Sequence, residues 1–194
     1  LKVPVAINGT LLGQTAFGTE ELFTDARENV SLRFIGVENN NKTLTLINNG
    51  TYGSHFENDA LYISLVRGVT YCAHPINDRQ LIPSDRFTKK IDQGENSFSF
   101  RLTVTDTNKL ERKAQEFTQK PFALNLFPVP SSNKEQDFSV SLGDDTISLV
   151  TMKKADGKNA TIFHLLNNSN DEIKTSISVN STTLPLNFGK YEVK

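Results

Sequence analysis

The 194-residue sequence has no tryptophan, a single cysteine, a single methionine and three histidines. Cys72 has no partner for an internal disulfide, and secreted domains of this size usually carry cysteine pairs, so the composition points to a reducing cytoplasm. His55, His74 and His164 show neither H-x-x-x-H nor H-E-x-x-H spacing, and one thiol makes no thiolate pair, so no self-contained zinc site is expected. A G-x-S-x-G elbow, a P-loop and a G-x-G-x-x-G run are also missing, which removes the usual footholds of serine hydrolases, nucleotide hydrolases and dinucleotide enzymes. Charge of one sign is lacking: 21 basic and 22 acidic residues leave a formal net charge of −1, with no field to gather nucleic acid or an anionic membrane. No apolar run approaches the roughly 18 to 20 residues that span a bilayer, and the first residues lack the order of a secretory leader. Leu1 stands where an initiator methionine would, inside the apolar alternation Leu1, Val3, Val5 and Ile7, so further sequence is expected upstream.

What is present is enough to build a core. Hydrophobic residues make up 37% of the chain and 13 residues are phenylalanine, sufficient for one large sandwich or two small domains. Period-two alternation dominates, as a strand with one buried face requires. Val30, Leu32 and Phe34 alternate with Ser31 and Arg33. Leu61, Ile63 and Leu65 form a second set, and Phe98, Phe100, Leu102 and Val104 alternate with Ser97, Ser99, Arg101 and Thr103. Further strands are expected around Phe138 to Leu142, Ile147 to Met152, Ala160 to Leu166 and Ile173 to Val179. Turn residues separate them at Asn39-Asn40-Asn41, Asn48-Asn49-Gly50, Gly143-Asp144-Asp145, Asp156-Gly157-Lys158 and Asn167 to Asn170.

One segment has helical spacing. Leu110, Ala114 and Phe117 fall at i, i+4 and i+7, Asn108 sits three residues before Glu111 as in a capping box, and Pro121 lies beyond the end. The stretch from Pro121 to Pro130, followed by Ser131, Ser132, Asn133 and Lys134, reads as a connection between packed units. The expected fold is all-β: a supersandwich-like β-sandwich over 1–120, incomplete on its N-terminal side, then a smaller terminal β-sandwich over 121–194, with one short helix between them.

Chemistry is sparse along this framework. Asn-x-Ser/Thr triplets begin at Asn8, Asn29, Asn41, Asn49, Asn159, Asn167 and Asn180, but a chain rich in Asn, Ser and Thr produces them by chance, and no glycosylation is read from them. Asp92 and Glu95 have the residue types of a glycosidase acid and base, yet Gly94 between them favours a turn bearing solvated acids. Asp144-Asp145 is likewise a turn, and His164, alternating with Ile162 and Leu166, is expected to pack against a neighbour. The denser set lies between residues 52 and 95, where Tyr52, His55, Arg67, Tyr71, His74, Arg79, Asp85 and Arg86 crowd loops around one apolar strand. The stretch Thr70 to Thr88 is long for a loop in a compact domain. These groups either bind a ligand or pair with one another and with a neighbouring domain, and both readings stay open.

Several short runs carry a family resemblance. Asp92-Gln93-Gly94-Glu95-Asn96-Ser97-Phe98-Ser99-Phe100 resembles the D-x-G-x-H-x-F-x-[YF] signature near the C-terminus of family 38 glycoside hydrolases, with Asn96 where His is often found. Leu46 to Gly53 is similar to that family's L-L-N-D-G-x-Y-G run, and Leu65-Val66-Arg67 to its L-L-R segment, with Gly68 where Ser is more usual. Gln14, Phe17-Gly18 and Glu20-Glu21-Leu22 resemble an earlier region, and Arg27-Glu28-Asn29 the opening of the next strand. Phe188 to Lys194 is similar to the last strand of the terminal sandwich. The runs keep their order over nearly the whole chain.

The resemblance implies the C-terminal β region of a retaining exo-α-mannosidase, cytoplasmic and bacterial. Its missing N-terminal barrel would supply an Asp nucleophile, an Asp acid/base and a divalent metal, usually zinc. A retaining mechanism holds two carboxyls about 5 to 5.5 Å apart, and neither is identified here, so the catalytic residues and metal ligands of this chain are none. The implied partners are that catalytic domain and a mannoside, with a homodimer expected if an apolar face is left uncovered. The resemblance places Tyr52 and Arg67 at a substrate pocket or a domain interface, with His55, His74 and Arg79 as neighbours. Arg67 comes first because its planar donors can bridge sugar hydroxyls or hold a carboxylate. The rival readings are an autonomous carbohydrate-binding module, weakened by the absence of tryptophan platforms, and a bacterial surface adhesin built of β-sandwiches.

Overall fold

The structure, a computed structural model, describes residues 1–5, 8–68, 90, 92–123 and 138–194. Its strands run Lys2–Pro4 (β1), Thr10–Gln14 (β2), Thr19–Glu21 (β3), Glu28–Val30 (β4), Phe34–Asn39 (β5), Lys42–Asn48 (β6), Gly53–Glu57 (β7), Ala60–Ile63 (β8) and Phe100–Asp106 (β9). After helix α1 at Leu110–Thr118 come Val140–Leu142 (β10), Ile147–Lys154 (β11), Thr161–Asn167 (β12), Ile173–Val179 (β13) and Thr182–Phe188 (β14). The fold is all-β with one short α-helix among the described residues, and none of its helices is long and apolar enough to cross a membrane.

An antiparallel five-stranded sheet ordered β3-β2-β5-β6-β9 packs on a four-stranded sheet ordered β1-β8-β7-β4. Leu11, Ile35, Val37 and Leu46 of the larger sheet meet Leu61 and Ile63 of the smaller one. β5 is buried on both faces because the larger sheet is covered twice. Ile35 and Val37 point into the sandwich, while Phe34 and, from β6, Ile47 meet Leu110 and Ala114 of α1. Gly36 lies on the helix side, where a Cβ would come within 2.6 Å of Leu44 O and 2.7 Å of Thr43 Cγ2. The β5–β6 hairpin closes on Asn40 and Asn41, both left-handed at φ 52° and 60°, the geometry of a two-residue hairpin turn that Asn tolerates.

Three expectations over the first 120 residues are corrected. Val30 and Leu32 are 66% and 39% exposed, whereas Asn29 and Ser31 are buried, so the alternation there runs in the opposite phase. The reason is the Asn29 side chain, which donates to Phe23 O (2.8 Å) and accepts from Phe23 N–H (3.0 Å), filling an interior position as a second backbone would. The strand expected from Phe98 begins at Phe100, and its Leu102 and Val104 are 56% and 63% exposed although they lie opposite Leu46 and Leu44. β9 is an edge strand of the larger sheet, and neither residue belongs to a buried cluster. The capping box does not form either. Asn108 lies in a 3-10 turn, Lys109 is the N-cap without a side-chain bond, and Glu111 turns to other partners.

Beyond residue 137, a three-stranded sheet ordered β10-β13-β14 and a β11-β12 ribbon share the core Ile147, Leu165, Ile177 and Phe188. The terminal run expected as one strand is divided. Phe188 ends β14, the chain turns through Tyr191 at φ 50°, and Leu165 and Lys194 then exchange backbone bonds of 2.7 and 2.8 Å. The two parts of the chain touch where Arg112 donates to Asp145 Oδ1 (2.8 Å) and where the Tyr191 ring covers Gly18, with its hydroxyl 3.4 Å from Thr19 O. The proline-rich connection is outside the described residues, apart from 121–123.

Phe34→Ala is expected to lower unfolding stability by about 3–5 kcal/mol, and Val30→Ala to change it by less than about 0.5 kcal/mol. Urea titration of both variants reads this, and equal losses would restore the phase expected from sequence.

Candidate functional site

The described members of the loop set gather around the β7–β8 hairpin. Register places His55 opposite Tyr62, and their rings stack with centroids 4.6 Å apart and planes 6° apart. Lys2 Nζ stands 5.5 Å from the Tyr62 centroid, completing a short column of cation and rings. Tyr52, just before β7, is 53% exposed, and its carbonyl accepts from Ser31 N–H at 3.0 Å. Beyond β8, the Arg67 N–H donates to Asp92 Oδ2 at 3.2 Å, so the Leu-Val-Arg run and the Gly94 turn meet across 25 residues. The turn itself is as expected: Gly94 is left-handed at φ 105°, and the Asn96 amide donates to Asp92 O and Gly94 O at 3.3 Å each. His74 and Arg79, together with Cys72 and the long loop, lie outside the described residues.

A second assembly was not anticipated as a site. Gln14 at the end of β2 and Glu111 in α1 are 4% and 5% exposed. The Gln14 amide and the Arg33 guanidinium both donate to the Glu111 carboxylate, as does Gln115 Nε2 at 3.1 Å. Gln14 Oε1 in turn accepts from Arg33 N–H (3.0 Å) and Nε (3.1 Å). Burial pushes the Glu111 carboxyl above the usual carboxylate range, against the opposing pull of Arg33 and the Gln115 amide. With its lone pairs occupied on several sides, this carboxylate orients its neighbours rather than reacting with a substrate. Sequence spacing offered Glu111 only as a helix cap, and nothing in residue order ties it to Gln14 or Arg33, which lie 97 and 78 residues away.

Glu111 lies between two hollows at the junction of the chain's two parts. One, of about 360 Å³, opens between the start of α1 and the Asn168 to Asp171 turn and is walled by Tyr191. The other, of about 310 Å³, lies between Phe17, Arg33 and Gln119 on one side and Val150, His164 and Val193 on the other. Among the described residues no three His, Cys, Asp or Glu side chains gather to hold a metal ion. The metal that the resemblance implies has no donor set among these residues.

A β-sandwich with a covering helix, followed by a second small sandwich, defines the class of this fold. The same arrangement occurs in an α-mannosidase from Enterococcus faecalis V583, which matches with a TM-score of 0.73 at 13% identity over 99% of this chain and 24% of that one. A glycosyl hydrolase family 38 protein from Enterococcus faecalis matches with a TM-score of 0.71 at 15% identity, over 99% of this chain and 25% of that one. The chain thus spans about a quarter of the length of these structures. No family model and no curated protein matches the sequence.

Because folding raises the proton affinity of Glu111, the folded state holds more protons than the unfolded one from the ordinary carboxyl value of 4.5 up to the raised value, and stability from this group falls as pH rises through that window. Glu111→Gln, a neutral isostere, is therefore expected to lose less stability relative to the parent at pH 7 than at pH 4. Glu111→Ala strands the Arg33 and Gln14 donors and costs about 1.5–3 kcal/mol at pH 7. Chemical denaturation at the two pH values measures both; a larger Gln penalty at pH 7 would mean that the charge of Arg33 outweighs burial.

Proposed function

We propose that the chain is the C-terminal, non-catalytic β region of a retaining α-mannosidase that hydrolyses terminal α-mannosyl residues. The observation that carries this reading is the likeness over 99% of the chain to only a quarter of an α-mannosidase. In this reading the region supports a catalytic barrel held elsewhere, which brings the carboxylates and a divalent metal, zinc being the expected ion. The packed units are taken as 1–120 and 121–194, and the enzyme as cytoplasmic.

The exposed Leu102 and Val104 on edge strand β9 supply an apolar strip for the barrel to cover. Tyr52 and Arg67 then stand on loops that face the substrate or the barrel. Arg67 is anchored through its backbone to Asp92, which leaves the guanidinium to the partner surface.

Incubated with an aryl α-mannoside and zinc, the 194-residue chain is expected to release no aglycone; clear turnover would refute the placement of catalysis elsewhere. In sedimentation velocity the chain is expected to dimerise through the β9 strip, and Leu102→Lys with Val104→Lys to return it to monomer. A clean monomer of the unsubstituted chain at high concentration would count against the strip as a covered surface.

A further inference from the structure

We infer that the cleft between α1 and the Asn168 to Asp171 turn binds a neutral hexopyranose unit, clamping the two β units together. Its walls come from both: Asn41 and Asn108 from the first, Asn168, Asn170, Asp171 and Tyr191 from the second. A volume of about 360 Å³ falls within the range of small-ligand clefts. Leu12 and Leu110 supply an apolar portion, and the Tyr191 ring a flat one.

Lining chemistry selects the ligand class. Among the described residues no Lys, Arg or His borders the cleft, while Glu111 and Asp171 do, so phosphates and carboxylates meet repulsion rather than a counter-ion. Glu111 is already engaged by Arg33, Gln14 and Gln115, which leaves one free acid and weak attraction for cations. What remains are side-chain amides, each both donor and acceptor, matching hydroxyls that are also both. Asn108, Asn170 and the Asp171 carboxylate make no hydrogen bond within the described residues and are exposed. Asn168 is held in place by its Nδ2, which donates to Thr146 O (2.9 Å) and Ser148 Oγ (2.6 Å), so its carbonyl is fixed in direction. A ring carrying adjacent hydroxyls beside an apolar face fits such a mixed wall; a peptide would need a deeper apolar anchor. The choice of a hexose as probe rests on the glycosidase reading, whereas the polarity and placement of the cleft do not.

Titration of the isotope-labelled chain with methyl α-mannoside and with a mannotriose tests this, followed through backbone and side-chain amide resonances. Those of Asn41, Asn108, Asn168 and Asn170 are expected to shift together and saturate in the millimolar range, with a parallel rise in melting temperature. The double variant Asn170→Ala, Asp171→Ala weakens binding roughly tenfold, as loss of one or two hydroxyl contacts would. It keeps the fold, since neither side chain makes a hydrogen bond within the described residues. No shift up to the solubility of the sugar overturns the proposal. So do shifts confined to Tyr52, His55 and Arg67, which would place the sugar on the hairpin loops instead. Mannoside turnover by the chain would sink the non-catalytic reading while leaving this titration unaffected.

Discussion

The buried carboxylate of Glu111 is the interaction on which the rest of the molecule depends. It ties α1 to β2 through Gln14 and to the β4–β5 connection through Arg33. That fixes the helix on one face of the larger sheet. A buried charge tolerates this only with several donors around it, and the network supplies them from three separate segments. Specificity of docking follows: a helix displaced by one turn would take the Glu111 carboxylate away from the Gln14 amide and the Arg33 guanidinium.

With the helix fixed, the larger sheet is covered on both sides, and β5 becomes its innermost strand. Phe34 faces α1 while Ile35 faces the smaller sheet, so neighbouring residues are buried in opposite directions. The start of α1 then becomes one wall of the amide-lined cleft, and Arg112, one residue after Glu111, reaches Asp145 in the second sandwich. Scaffold and candidate binding surface therefore share one origin. The same scaffold recurs over about a quarter of the length of an α-mannosidase from Enterococcus faecalis.

Much of the strand pattern is legible in residue order. The hairpin at Asn40 and Asn41, the Gly94 turn and the Leu110, Ala114 and Phe117 stripe all follow from local chemistry, since left-handed backbone and helical periodicity involve only near neighbours. The signs that failed are those in which a distant group decides. Asn29 takes an interior place because Phe23 offers its backbone, and Val30 is turned outward as a result. Leu102 and Val104 read as core because alternation reports which residues share a face, not whether another sheet covers it.

The same division holds for the candidate sites. Tyr52, His55 and Arg67 could be picked out as reactive or planar side chains in a stretch read as loops, whereas the structure puts His55 inside strand β7, stacked on Tyr62, and anchors Arg67 to Asp92. The cleft could not be found that way, because its amides come from Asn41, Asn168 and Asn170, which in sequence are ordinary turn residues, and from Asn108, read there as a helix cap. By itself the sequence determined the all-β class, the turns and the helix, all consequences of composition and local periodicity. Tertiary structure decided which apolar faces are covered, where Glu111 spends its hydrogen bonds and which asparagines face one another, because each depends on contacts between segments far apart in the chain.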